Sequence, residues 1–319
     1  MAEIGTDLEK AAALLTQGEL VAIPTETVYG LAGNALNVDA VAKIFAAKNR
    51  PQFDPLIVHV PALSFARNYV TEIPKKAERL AQLFWPGPLT LVLEKKDETI
   101  PALVTSGLKT VGFRSPDHPL TRKLLTNLPF PVAAPSANPF GYVSPTTPEH
   151  VNEQLGDKIS YILDGGVCSI GIESTIVGFE GGEPVVLRLG GLSLERIEAV
   201  TGKLKVQMHS TSNPLAPGQL KSHYAPGKPL KLGKLEELLQ EYPAHDSGIL
   251  SFSRDFNSPY QRILSRSGNM EEAARNLFQS LRDFDKMPID VILAELLPEE
   301  GLGRAINDRL KRAAAVDNS

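Results

Sequence analysis

Lys48-Asn49-Arg50-Pro51-Gln52-Phe53-Asp54-Pro55-Leu56-Ile57-Val58-His59 carries a helical run into an apolar strand across two prolines. Val38 to Ala47 before it has helical spacing, with Asp39 in the first turn. Each proline biases the preceding residue, Arg50 or Asp54, away from helical backbone. Helix, stiff loop and buried strand in succession predict an α/β fold. Lys48 and Arg50 stand two apart, so in extended chain they point to one side. A loop that aims two cations at one place suits a multiply charged anion. The plainer reading is a solvated helix end that complements the helix dipole.

The same pattern extends in both directions. Leu8 to Leu15 reads as an amphipathic helix capped by Thr6 or Asp7, and Leu20 to Ile23 as a short strand. That strand runs into Pro24-Thr25-Glu26-Thr27-Val28-Tyr29-Gly30-Leu31, read as a polar turn. Helices are expected over 75–85, 119–128 and 194–200. Strands are expected over 56–60, 89–93, 110–114, 131–134, 161–163, 174–179 and 185–189. Polar segments fall at several strand ends, where open α/β sheets often hold ligands. From Met208 to Lys231 periodicity stops and Ser, Pro, Gly and His dominate, which predicts a linker or functional loop. A smaller βα-alternating unit follows, with strands near 248–252, 263–264 and 291–293 and helices over 270–284 and 303–315. Three parts are therefore expected: 1–205, a linker 206–230 and 231–319.

The composition is globular, 42% hydrophobic and 22% charged over 319 residues, long enough for two domains. A net charge of −4 argues against bulk nucleic-acid binding, so any anion site must be a local basic cluster. The single cysteine, Cys168, excludes an internal disulfide and fits a reducing compartment. No secretory signal and no apolar run long enough for a membrane span is seen, so the cytoplasm is the expected location.

Lys48, Arg50, Arg114 and Arg188 stand at or near strand ends. Arg114 ends one apolar strand and Arg188 lies within another, where an unpaired charge is costly and a phosphate or carboxylate would satisfy it. Each alone reads first as a structural salt bridge; several together favour an anion pocket. Hydroxyl and amide groups recur at matching places: Thr25, Thr27, Thr110, Ser136, Asn138, Ser144, Ser174 and Thr175. Singly they are caps and turn formers; together they can bind a ribose, a phosphate or a small polar amino acid. His59 fits a ligand contact or a satisfied core histidine. There is no Walker loop, no Gly-x-Gly-x-x-Gly after a strand and no nucleophile elbow around Ser174, which argues against hydrolase chemistry. Glu26, Asp54, Asp164 and Glu173 lie nearby without a spacing that defines a Mg²⁺ site.

Pro24-Thr25-Glu26-Thr27-Val28-Tyr29-Gly30-Leu31, Lys48-x-Arg50-Pro51, Pro55-Leu56-Ile57-Val58-His59, Trp85-Pro86-Gly87-Pro88, Pro135-Ser136-Ala137-Asn138, Glu173-Ser174-Thr175-Ile176 and Leu187-Arg188-x-Gly190 occur in this order. Together they resemble the YrdC-like threonylcarbamoyl-AMP synthases. Pro217-Gly218 and His223-Tyr224-Ala225-Pro226, with a trailing domain, resemble the long, two-domain form. The resemblance implies an open, twisted mixed sheet around a large basic cavity, followed by a smaller Rossmann-like α/β domain. It implies that L-threonine, bicarbonate or CO₂, and ATP with Mg²⁺ give threonylcarbamoyl-AMP and pyrophosphate. A threonylcarbamoyl transferase complex then modifies tRNA next to the anticodon; tRNA is met only indirectly or weakly, and no membrane is involved. Thr27, His59, Arg114, Ala134 and Ser174 would bind threonine. Arg50, Asp54, Thr110, Ser136, Asn138, Ser144, Arg188 and Tyr224 would bind ATP, with Lys48 and Arg50 the catalytic cations. The linker would act as a lid. Asp54 stands where many members have Asn, and Ala216 where Ser is common. The competing reading is a double-stranded RNA or tRNA-binding module without catalysis, which predicts steep salt dependence and no ATP turnover.

Overall fold

The computed structural model describes residues 1–207, 216–218, 223–243 and 245–315. Local chemistry sets the element ends. Asp7 caps the helix Leu8–Thr16 by accepting from the Glu9 and Lys10 amides. Asn37 does the same for Val38–Lys48 through Asp39 and Ala40. That helix ends at Asn49 in the left-handed region, φ 51°. Lys48 is thus helical, and the alternation expected of Lys48 and Arg50 in extended chain does not hold. The turn at Asn49 sends the two side chains to different partners.

The first domain is built on an 11-stranded mixed sheet. At its centre Ile57–His59 runs parallel to Thr110–Arg114, pairing His59 with Arg114, and antiparallel to Val132–Ala133. Thr110–Arg114 pairs antiparallel with Leu89–Glu94, which runs parallel to Thr175–Glu180. Glu183–Arg188 closes back on that strand, with a register shift between Val186 and Arg188. These directions bring His59, Arg114, Ser174 and Arg188 to one edge of the sheet. Thr110 lies at the far end of its strand, four residue steps from Arg114 and so roughly 13 Å away along it.

Several elements differ from the sequence reading. Gly30–Asn34 is a strand antiparallel to Val21–Ile23, not the end of a polar turn. Its glycines hid it: a Cβ on Gly33 would lie 3.1 Å from both Ile44 and Leu20, so the strand gives up side chains for close packing. Pro148–Leu155 is a helix with proline in its first turn and Thr147 as cap. Glu3–Gly5 and Leu230–Leu232 are strands too short to show a period, and Leu235–Glu241 is a helix whose Leu235, Leu238, Leu239 and Tyr242 spacing the sequence reading overlooked.

The second sheet has four parallel strands, in the order Leu230–Leu232, Val291–Ala294, Ser247–Ser251, Gln261–Ile263. Met270–Asp285 and Gly303–Ala314 are its long helices. One cluster of buried apolar side chains runs through both domains and includes Leu89, Phe113, Tyr224, Leu277, Phe278 and Leu310. Such burial is the main favourable term in docking one domain on another. At the seam Gly171 adopts φ +83°, and a Cβ there would fall 2.5 Å from Arg275 Cα. Gly171→Val is expected to lower the melting temperature by several degrees, an overpacking cost of about 1–3 kcal/mol. It is also expected to speed proteolysis between the domains; an unchanged melt and cleavage pattern would show the seam to be compliant. Among the described residues no helix is long and apolar enough to cross a membrane.

Candidate active site

The strand ends open on a small cavity of about 50 Å³, partly continuous with solvent. Eight of the expected site residues line it: Arg50, His59, Arg114, Ala134, Ser136, Ser174, Arg188 and Tyr224. Tyr224 and its neighbour His223 come from the 206–230 segment, as do Pro217 and Gly218. The remainder of that expected linker includes 208–215 and 219–222, which lie outside the described residues.

Each cation is held in its own way. Arg114 is 4% exposed; its Nη2 pairs with Glu26 Oε1 at 2.7 Å while its Nε has no protein partner. Glu26 is itself fixed, because its other oxygen accepts from the Asp117 amide. Arg50 donates to the Asp54 and Pro55 carbonyls, and its Nη2 lies 2.9 Å from Asp54 Oδ2. Arg188 grips the Ser174 carbonyl through Nε and Nη2 and reaches the Pro217 carbonyl through Nη1. Its placement depends on Gly190, where a Cβ would sit 2.3 Å from the Glu173 carbonyl oxygen. Only glycine lets the chain after Arg188 pass so close to Glu173 and Ser174.

His59 sits next to Arg114 on the paired strand and has an unpartnered Nδ1. Burial first, then the neighbouring Arg114, pushes its pKa down to about 3. The ring is neutral at pH 7. Because the folded value lies below the free histidine value near 6.5, the folded state resists protonation. Stability is therefore full above about pH 6.5 and falls as pH drops from there toward 3. His59→Asn is expected to flatten that acid-side loss by a few kcal/mol at most. Melting temperatures from pH 4 to 8 check it, and parallel curves for both proteins would contradict the assignment.

The other expected residues surround the cavity without lining it. Lys48 is buried, and its Nζ donates to the Ser136 and Asn138 carbonyls at 2.6 and 2.5 Å. It braces the loop that presents Ser136 rather than facing the cavity. Burial lowers its pKa well below the usual lysine value, with Arg50 adding to the effect. Asn138 bonds the Pro139 and Tyr142 carbonyls. Thr27 is fully buried against Thr25 Oγ1 at 2.8 Å. Ser144 donates to Glu173. Thr110 lines an adjoining, largely apolar cavity that shares Ile57 and Pro217 with the first. Asp54 is wholly buried behind Arg50; burial raises its pKa while Arg50 and Lys48 oppose the rise. Neither carboxylate oxygen of Asp54 makes a hydrogen bond of good geometry.

Sequence reasoning missed the apolar lining of Val28, Ile57 and Pro135. It also missed a second ring of support. Glu173 is held by Arg309 of the helix Gly303–Ala314, and Arg282 of Met270–Asp285 donates to the Val143 carbonyl beside Ser144. In sequence these arginines look like ordinary surface charges on amphipathic helices, and no local signal marks them.

Residues 13–190 match the Sua5/YciO/YrdC family, described as telomere recombination, and residues 192–315 match the C-terminal domain of threonylcarbamoyl-AMP synthase. The threonylcarbamoyl-AMP synthase of Bacillus subtilis (strain 168) is 42% identical over 320 residues, covering 96% of this chain and 92% of its own. That of Pyrococcus abyssi (strain GE5 / Orsay) is 42% identical over 319 residues, covering 95% and 93%. The crystal structure of P. abyssi Sua5 complexed with L-threonine superposes with a TM-score of 0.91 at 40% identity, covering 98% of this chain and 97% of that one.

Proposed function

Since the chain belongs to the Sua5/YciO/YrdC family in its two-domain form, we propose that it is a nucleotidyltransferase that makes L-threonylcarbamoyl-AMP. Its substrates are L-threonine, bicarbonate or CO₂, and ATP; pyrophosphate is released. The product supplies a separate transferase that modifies tRNA adenosine next to the anticodon. One observation carries the reading: a neutral His59 and an Arg114 with a free Nε share one cavity with Arg50 and Arg188. The first pair suits an amino acid, the second a polyphosphate.

In this reading Arg114 receives the threonine carboxylate, adding a charge-assisted bond at Nε to the one it keeps with Glu26. His59 and Ser174 meet the threonine hydroxyl or amine, and the Ala134 segment closes that side. The amine adds to CO₂, giving a carbamate and a proton. A carbamate oxygen forms a bond to the α-phosphorus, and the bond from that phosphorus to the β-bridging oxygen breaks. Pyrophosphate carries off the electron pair. No covalent enzyme intermediate is needed, so the protein contributes position and charge stabilisation. Arg50, Arg188 and Ser136 hold the nucleotide, and Tyr224 covers it. Lys48 keeps Ser136 in place.

The carboxylates in and around the cavity are all engaged by protein groups. Glu26 is engaged by Arg114, Asp54 by Arg50, and Glu173 by Ser144 and Arg309. Among the described residues no group of three or more His, Cys, Asp or Glu can hold a metal ion. In this reading Mg²⁺ arrives with the substrate, as MgATP. Omission assays test the activity: pyrophosphate release should require threonine, bicarbonate and MgATP together. Release that is indifferent to threonine would end the proposal.

A further inference from the structure

Glu173 poses a problem for a cavity that takes a polyphosphate. It is a carboxylate, 7% exposed, on the cavity wall next to Ser174. An unpaired negative charge there would repel the nucleotide, and in low-dielectric surroundings that repulsion is large. Both of its oxygens are taken up. Oε1 accepts from Ser144 Oγ at 2.5 Å. Oε2 accepts from Arg309, with Nε at 3.2 Å and Nη2 at 3.1 Å. Arg309 comes from the second domain and is 0% exposed. Its Nη1 donates to the carbonyl of Leu189, the residue after Arg188, at 2.6 Å. Its guanidinium carbon lies over the Tyr224 ring, 5.3 Å from the ring centre. Asp308, the adjoining acid, is shared with Arg312, which it meets at 3.0 Å. The second domain grips the Ser144 side as well: Arg282 donates to the Val143 carbonyl.

We propose that Arg309 is a positioning residue of the nucleotide subsite, supplied by the C-terminal domain. It neutralises Glu173 and leaves its other oxygen to Ser144, so that the cavity wall presents a compensated carboxylate instead of a bare one. This rests on the nucleotide reading of the cavity. The contact with Tyr224 is a smaller term, since a cation over an aromatic ring contributes about 0.5–2 kcal/mol. A buried charge left without its partner costs about 3–5 kcal/mol. Electrostatic unmasking of Glu173 is thus the dominant consequence of losing Arg309, and it gives the second domain a direct part in binding at the first.

The test compares the full chain with Arg309→Met, Glu173→Gln and the double variant. The probe is α,β-methylene-ATP with Mg²⁺, followed by calorimetry, with threonine titrated separately. R309M is expected to weaken nucleotide binding at least about tenfold while threonine affinity stays within about threefold. Adding E173Q to R309M is expected to restore most of the nucleotide affinity, because the charge that Arg309 masked is gone. A merely structural role predicts no such rescue. Should R309M fail to fold, the double variant against E173Q alone carries the test: affinities within about threefold of each other support the proposal. A further tenfold loss on removing Arg309 when Glu173 is already uncharged overturns it. Equal losses for nucleotide and threonine in R309M, unrelieved by E173Q, also overturn it. If the unaltered chain binds no nucleotide, the nucleotide reading falls and this proposal falls with it.

Discussion

Arg114→Ala is expected to reduce threonine-dependent pyrophosphate release by about a thousandfold in kcat/KM. Two losses combine. The variant removes the guanidinium that faces the cavity from the end of its strand. It also strips Glu26, which is 5% exposed, of its only cationic partner among the described residues, leaving a carboxylate where threonine's own carboxylate must sit. Breaking one side of such a pair costs about 3–5 kcal/mol, chiefly through the charge left behind. The Ala variant should therefore lose measurable threonine binding in calorimetry but retain nucleotide binding. Arg114→Lys keeps the charge without the fork and should fall between the two. Threonine binding by the Ala variant within tenfold of the unaltered chain would remove Arg114 from the amino-acid subsite.

The second large effect separates the two ends of the Lys48 to His59 stretch. Arg50→Ala is expected to weaken ATP binding by about a hundredfold and threonine binding far less. Asp54 explains the size. It is 0% exposed and relies on Arg50 for compensation, so the variant both removes a phosphate donor and bares an acid. His59→Ala should show the reverse preference, because His59 pairs in register with Arg114. KM values for each substrate, measured with the other saturating, decide this. Equal losses for both substrates in both variants would end the division of labour. Asp54→Asn, which removes the charge at nearly constant shape, should weaken neither substrate as strongly as Arg50→Ala.

How much of this was legible in the sequence depends on the kind of signal. The strands Ile57–His59, Thr110–Arg114 and Tyr161–Leu163 show as short apolar runs bounded by polar or proline residues. Gly30–Asn34 does not, because its identity is set by what packs on its glycines, and that is a tertiary fact. The basic cavity could be suspected from Arg50, Arg114 and Arg188 because each interrupts an apolar or proline-bound segment. Which charges face the cavity could not. Lys48 looks as exposed as Arg50 in sequence, yet one extra helical residue and the left-handed Asn49 turn it onto the Ser136 and Asn138 carbonyls. Arg309 was illegible for a different reason: its partner Glu173 is 136 residues away, and pairing across domains leaves no local spacing to read.

The most direct test follows carbon from bicarbonate. The protein is incubated with threonine, MgATP and carbon-13 bicarbonate, and the nucleotide products are read by mass spectrometry alongside pyrophosphate. The account predicts threonylcarbamoyl-AMP that carries the label, formed in step with pyrophosphate. Unlabelled threonyl-AMP would contradict it, because the threonine carboxylate, and not a carbamate, would then have attacked the α-phosphate.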